Sequence, residues 1–202
     1  MSNAKIEKNT NKDVFSQIVC TFVYMKYLFR YNTPEGFDNL LMCADGESLT
    51  GLWFEGTQNK DCLIESFSET SLPPALNNTV RWLDIYFSGR QPDFTPKYRI
   101  DNLTAFRKLV LDIVLEIPFG HTMTYGDIAK RVARLPQEHR KMSAQAVGGA
   151  VGWNPICLIV PCHRVIGANG NLTGYGGGMH NKIALLEHEE HDIRRFIIPI
   201  RH

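Results

Sequence analysis

Cys162 is the residue of this chain best placed to do covalent chemistry. It lies in Pro161-Cys162-His163-Arg164-Val165, directly after the apolar run Ile156-Cys157-Leu158-Ile159-Val160. An apolar run closed by proline predicts a short buried strand. The cysteine then sits where a strand leaves the core and enters a loop, with rigid backbone behind it and an open pocket in front, which is the setting a nucleophile needs. His163 is the adjacent base. Neighbouring side chains of an extended stretch point to opposite sides, so sequence adjacency does not guarantee contact, and a water between thiol and imidazole is the alternative. A solitary cysteine otherwise packs as a small hydrophobe, so its surroundings decide the reading.

The elements that must position this pair are legible to different degrees. Gln17 to Tyr31 is rich in Val, Ile, Phe and Tyr, and Asn39 to Ala44 is a further apolar run. Asp45-Gly46 is a hairpin turn signal, with Leu49 to Phe54 as the returning strand. Pro73-Pro74 opens a helix through Phe87 that Ser88-Gly89 ends. Pro92 to Asn102 is polar and irregular. Leu103, Phe106, Leu109, Val110, Ile113, Val114 and Ile117 follow helical spacing, and Pro118 and Gly120 stop that helix. Gly126 to Arg134 predicts a second helix and Met142 to Gly152 a third, joined by a polar connection. Two short helices, basic on one side, suit a helix-turn-helix. The fold class expected is α+β. Residues 1–92 form an N-terminal unit of small β-sheet plus helix, 93–102 a linker, and 103–202 a mostly helical C-terminal unit.

Composition bounds the rest. The chain has 202 residues, 44% hydrophobic and 21% charged, as in an ordinary globular protein. No apolar run is long enough for a membrane span. Met1-Ser2-Asn3-Ala4 reads as an expression-tag remnant, with no signal peptide after it. Five cysteines without a CxxC pair favour a reducing, intracellular compartment and argue against a disulfide framework. Net charge is only +1, but residues 33–93 hold ten acids against three bases, while residues 119–165 hold six bases against two acids. Lys130, Arg131, Arg134, Arg140, Lys141 and Arg164 supply the positive set, as a polyanion-binding face would. A solvated helix face of mixed charge is the plainer reading. His121, His139, His180, His188 and His191 invite a metal reading, but no cysteine or carboxylate set at convincing spacing completes a site.

Around Cys162 lie Asn154-Pro155, Gly174-Tyr175-Gly176-Gly177-Gly178, Lys182 and Leu185-Leu186-Glu187-His188-Glu189. Upstream are Ile117-Pro118-Phe119-Gly120, Thr124-Tyr125-Gly126-Asp127-Ile128-Ala129 and Ala146-Val147-Gly148-Gly149-Ala150. From about Phe106 to Glu189 the chain resembles the O6-alkylguanine-DNA alkyltransferases, the methylated-DNA–protein-cysteine methyltransferases. The Pro-Cys-His-Arg-Val stretch is very specific. The resemblance implies irreversible, single-turnover transfer of an alkyl group from O6-alkylguanine, and from O4-alkylthymine as a second lesion, onto Cys162. It implies that Glu189 orients His163, that Asn154 braces the active-site turn, and that Tyr125 returns a proton to the base. Tyr175 closes the base pocket, which Val165, Gly176 and Trp153 help to form.

The resemblance also implies a recognition helix in the minor groove of double-stranded DNA, pushing a base out of the stack. The expected DNA-facing residues are Gln145, Ala144, Ala146, Gly149, Arg140, Lys141, Arg131 and Arg164. Close helix packing is the other explanation for so many small residues in this helix. The family's arginine before Ala-Val-Gly is Gln145 here, and its Phe-Gln is Phe106-Arg107. No cofactor and no metal are implied, and the expected form is a monomer in the cytoplasm, at the nucleoid of a bacterium or in the nucleus of a eukaryote. Two other functions compete. A non-enzymatic lesion-binding protein of the alkyltransferase-like group would carry another residue, usually tryptophan, in place of Cys162. A cysteine hydrolase would need an oxyanion hole that nothing in the sequence suggests.

Overall fold

A computed structural model describes residues 27–57, 72–135 and 142–199 of this chain. Strands β1 (Tyr27–Tyr31), β2 (Leu40–Ala44) and β3 (Leu49–Phe54) form an antiparallel sheet in that order. Phe29 pairs with Met42 and Met42 with Leu52 across it. The returning strand has the limits its sequence predicts. The first covers only the end of the predicted Gln17–Tyr31 run, whose earlier part lies outside the described residues. Cys43 is disulfide-bonded, against the expectation from cysteine count. Counting cysteines cannot tell which ones the fold brings together.

Helix α1 (Pro74–Phe87) begins with proline in its first turn, where a missing N–H costs nothing, and ends at Ser88. It packs against β2 and β3 and buries Leu76, Leu83 and Tyr86. Residues 92–102 are irregular, as expected, yet Leu49 pairs with Tyr98 and exchanges hydrogen bonds of 2.9 Å with Lys97 and Arg99, so the segment is pinned to β3. The structure is mixed helix and sheet, the α+β class that the sequence predicts.

Helices α2 (Ala105–Leu115), α3 (Tyr125–Val132) and α4 (Ala144–Gly152) each start on a side-chain cap. Thr104, Thr124 and Ser143 accept from the backbone N–H of Arg107, Asp127 and Ala146. These three helices pack on one another, with α3 and α4 in helix-turn-helix order. Strand β4 (Met123–Thr124) leads into α3 and pairs in parallel with β5 (Val165–Ile166), tying the start of α3 to the residues that follow Cys162. Helix α5 (Met179–His188) closes the fold.

Ile156–Val160 is buried throughout but is not the strand its apolar character predicts. Ile156 makes a single parallel bridge to Leu52, and the chain then turns through Leu158 at φ 63°. Hydrophobicity fixes burial there, while the side chain of Asn154 dictates the turn. One continuous core joins β2, β3, α1, α2, α3, α4 and this turn, so both halves of the chain share it. Among the described residues no helix is long and apolar enough to cross a membrane.

Candidate active site

Cys162 opens a single 3₁₀ turn, Cys162–Arg164, and is 8% exposed. It lines a cavity of about 600 Å³ together with Trp53, Arg107, Trp153, Asn154, Cys157 and Tyr175. The Arg107 guanidinium lies 4.0 Å over the Trp153 ring, so this departure from the family pattern forms part of the wall. Asn154 braces the turn from within. Its Nδ2 donates to Val160 O at 2.9 Å, to Ile156 O at 3.3 Å and to Cys162 Sγ at 3.0 Å, while its Oδ1 accepts from Ile156 N at 3.1 Å. Burial pushes the Cys162 thiol up; the Asn154 donor and the Lys182 charge pull it back only in part. The resting group is therefore a thiol, and a base must take its proton when it reacts.

That base is built behind it. His163 has no exposed surface, and its Nε2 lies 2.7 Å from Glu189 Oε1. Burial lowers the pKa of His163 against the opposing pull of Glu189, so the imidazole is neutral at neutral pH. A carboxylate can only accept, which assigns the proton to Nε2 and leaves Nδ1 with a free lone pair. Nδ1 is buried and bonded to no described group, so His163 and Cys162 make no direct hydrogen bond. Sequence adjacency does not guarantee that contact, although the segment is a 3₁₀ turn and not the extended stretch that its sequence predicts. Glu189 also accepts from Arg164 Nε at 2.9 Å and Nη2 at 2.9 Å, from Gly120 N at 3.1 Å and from Tyr86 OH at 2.8 Å. Burial alone would raise this carboxyl; the hydrogen bonds from His163 and Arg164 and the Arg164 charge outweigh it and hold Glu189 well below the usual carboxylate range.

Tyr125 begins α3 and donates to the carbonyls of Gly174 and Thr173 at 3.2 and 3.4 Å. Burial, then the nearby Cys162, pushes its phenol up to about 12. Tyr175 projects from the glycine-rich loop, with its OH buried and bonded to no described group. A Cβ on Gly177 would meet the Tyr175 ring at 2.6 Å and Phe54 at 2.8 Å, so the loop folds over the pocket only because that position is bare. Lys182, which sequence reading left without a role, has no exposed surface and donates to Val165 O at 2.7 Å. Burial pushes its pKa down to about 8.

A second cavity adjoins the first, sharing Gly152, Gly174, Tyr175 and Gly176 with it, and is walled by Tyr125, Ala144 and Gln145. Ala144, Gln145, Ala146 and Gly149 form one exposed face of α4. An added Cβ would meet nothing within 4 Å at Gly149 and Gly152, and only the Tyr125 ring, at 3.9 Å, at Gly148. Close packing within the protein is therefore not the reason for these glycines.

Two expected roles need correction. Arg164 does not belong to the basic surface: it is 7% exposed, ion-paired with Glu189, and donates to Ile117 O at 2.7 Å. A buried guanidinium already holding a carboxylate and a carbonyl has no donor face left for a phosphate. Val165 has no exposed surface, sits in β5 and walls neither cavity, because its parallel pairing with Met123 turns its side chain into the core. Arg131 is exposed and paired with Glu116. Arg140 and Lys141 lie outside the described residues. Tyr86 is the site residue that sequence reasoning missed. An aromatic at core spacing in a helix carries no signal of a partner 103 residues away.

The class defined by these features is a cysteine acceptor protein built on a helix-turn-helix. Residues 105–191 match the profile of the DNA-binding domain of 6-O-methylguanine DNA methyltransferase. The methylated-DNA–protein-cysteine methyltransferase of Mycobacterium leprae is 40% identical over 156 residues, which span 76% of this chain and 87% of that protein. That of Methanosarcina mazei is 48% identical over 155 residues, 77% of this chain and 92% of that protein. Among solved structures, a variant of the O6-methylguanine methyltransferase of Mycobacterium tuberculosis superposes with a TM-score of 0.67 at 37% identity, covering 82% of this chain and 93% of its own. The OGT of the same organism in complex with DNA superposes at 0.65, with 34% identity over 85% and 94% of the two chains. This chain belongs to the methylated-DNA–protein-cysteine methyltransferase family.

Proposed function

We propose that this protein repairs DNA directly, taking the alkyl group of O6-alkylguanine onto Cys162 in one irreversible step. The observation that carries this reading is a thiol lining a cavity, bonded by Asn154, beside a buried imidazole whose free nitrogen is its Nδ1. The thiol proton passes to His163 Nδ1, through a water where the two do not touch, and Glu189 steadies the imidazolium. Sulfur then attacks the alkyl carbon; the new S–C bond forms as the O6–C bond breaks, and the electron pair goes to the guanine. The Tyr125 hydroxyl supplies a proton to that base at O6 or N3, and the proton on His163 is returned to the Tyr125 phenolate through water. The product is a thioether with no leaving group that water could displace, so each molecule acts once. A lesion-binding role without transfer does not require the Asn154–Cys162–His163 arrangement. The test is mass spectrometry after incubation with a duplex containing O6-methylguanine. One methyl, about 14 Da, is expected on the peptide holding Cys162. No methyl, or a methyl on Cys157, overturns the assignment.

DNA meets the exposed small-residue face of α4, which approaches the minor groove with Gln145 at the mouth of the second cavity. The flipped base enters past Tyr125 and Tyr175 and comes to rest against Trp153 and Gly176. The protein works as a monomer, in the cytoplasm, at the nucleoid of a bacterium or in the nucleus of a eukaryote.

Gln145 stands where arginine can fill the gap of an extruded base, bond its orphaned partner and add charge near the phosphates. Gln145→Arg therefore speeds repair of duplex DNA by about tenfold, which corresponds to about 1.4 kcal/mol of barrier. It changes reaction with free O6-benzylguanine much less, because nothing has to be flipped. Single-turnover rates on both substrates check this; equal duplex rates for parent and variant would mean that Gln145 is fully competent.

A further inference from the structure

The carboxylate that orients His163 receives one hydrogen bond from the N-terminal half of the chain. His163, Arg164 and Gly120 lie within residues 105–191, which match the DNA-binding-domain profile, whereas Tyr86 belongs to α1. Its hydroxyl donates to Glu189 Oε1 at 2.8 Å, the same oxygen that His163 Nε2 meets at 2.7 Å. Tyr86 has no exposed surface. Its ring stacks on Trp82 at 5.4 Å, and its backbone carbonyl accepts from His188 Nε2 at 2.7 Å. The hydroxyl is thereby fixed in position before any substrate binds. A buried tyrosine commonly finds a partner for its O–H. What is particular here is the partner, an oxygen through which the base of the reaction is held.

We propose that Tyr86 is a positioning residue for alkyl transfer, fixing the rotation of the Glu189 carboxylate and drawing off part of the charge on Oε1. The inference rests on the function proposed above. With the hydroxyl present, Oε1 shares its lone pairs among Tyr86, His163 and Arg164, and the carboxylate cannot turn about its own axis. Without it, Oε1 carries more unshared charge toward the Nε2 proton. The imidazolium is then more stable at rest, and the ring less firmly aimed. The titratable and charged groups facing His163 are Glu189, Arg164, Lys182, Cys162 and Tyr86; only the last comes from α1.

Tyr86→Phe keeps the ring and removes one oxygen. The reaction with free O6-benzylguanine is followed from pH 5 to 8.5 in the full chain, so that DNA binding and flipping do not enter. The expected result is a plateau rate lower by about three- to tenfold, the size of one net hydrogen bond, with the acid limb moved to higher pH. Trp82→Phe is the companion variant: it disturbs the ring stack, leaves the hydroxyl, and is expected to lower thermal stability while the acid limb stays at the parent's pH. Should Tyr86→Phe lose stability but keep the parent's plateau and acid limb, Tyr86 is a core residue and the inference is wrong. Should Trp82→Phe move the acid limb as far as Tyr86→Phe does, general loosening is the cause and the inference is equally wrong. A parent protein that takes no methyl group from an O6-methylguanine duplex onto Cys162 would overturn the proposed function itself, which separates the two failures.

Discussion

Cys162→Ser leaves a folded protein that binds alkylated duplex DNA and transfers nothing. The substitution is nearly isosteric. Asn154 Nδ2, now 3.0 Å from Sγ, can donate to the serine oxygen, and the turn that it clamps through Val160 and Ile156 has no reason to open. The chemistry fails for another reason. Sulfur is soft and ionises within reach of a buried imidazole; a serine hydroxyl does neither without an oxyanion partner to share the work. The fall is at least about 10⁴-fold, equivalent to more than about 5 kcal/mol of barrier. Single-turnover transfer from a labelled duplex measures it, and gel-shift or anisotropy binding on the same duplex measures what is left. Detectable transfer in the variant would place the acceptor elsewhere. Loss of binding along with transfer would mean that the thiol holds the pocket open rather than reacting in it.

Glu189→Leu carries the second large effect, and it falls on stability as well as rate. The Glu189 carboxylate is the counter-ion of Arg164, with side chains 0% and 8% exposed respectively. Leucine strands that guanidinium, the Tyr86 hydroxyl, the Gly120 N–H and His163 Nε2 in an apolar interior. Removing one partner of a buried ion pair costs about 3–5 kcal/mol. Replacing both, as in Glu189→Leu with Arg164→Met, recovers most of that loss, because packed apolar side chains have no charge to satisfy. Transfer stays slow in both variants, since His163 has lost its orienter.

The pH dependence of stability has a definite sign. The folded-state pKa of Glu189 is depressed by His163 and Arg164 against the pull of burial. Its contribution is thus fully present above the unfolded value of about 4.3 and is lost as pH falls toward the folded value. His163 adds loss in the same direction: buried and lowered, it resists the proton that the unfolded chain takes up below about 6.5. The stability gap between parent and Glu189→Leu should therefore widen as pH falls below about 6.5, because His163 without its carboxylate resists the proton still more, and should narrow only below about 4.3, as Glu189 itself is protonated. Urea unfolding at several pH values checks this; a gap that already shrank near pH 6.5 would mean that Glu189 does not support the His163 imidazolium.

Much of this architecture is legible from short-range signals. Asp45-Gly46 and Pro74 mark their elements because a turn or a first helical residue depends on local backbone chemistry. Thr124 and Ser143 could be read as caps for the same reason. Cys162, Asn154, His163 and Glu189 are brought together by the structure, and the motif around the cysteine suggested as much. The misses share one cause. A run such as Ile156–Val160 shows that it will be buried but not in which conformation, since the Asn154 clamp, not hydrophobicity, makes the turn. A charge count treats every arginine as solvated, so it cannot see Arg164 facing a carboxylate 25 residues away. Tyr86 is further still, and its helical pattern is fully explained by packing. Long-range partners of single polar groups are what periodicity does not encode.

The span between Tyr86 and Glu189 has a consequence for the protein's synthesis. Chain order places the α1 hydroxyl first, then the Asn154 clamp, then the thiol and imidazole, and the carboxylate last. While the chain is being extended, Cys162 exists before the group that orients its base. The sulfur is at that stage an ordinary thiol on an unfinished polypeptide, with Arg164 unpaired beside it. The relay behind the thiol is complete only when residue 189 has been added and folded back onto α1, after the DNA-binding helices α3 and α4 have already been made.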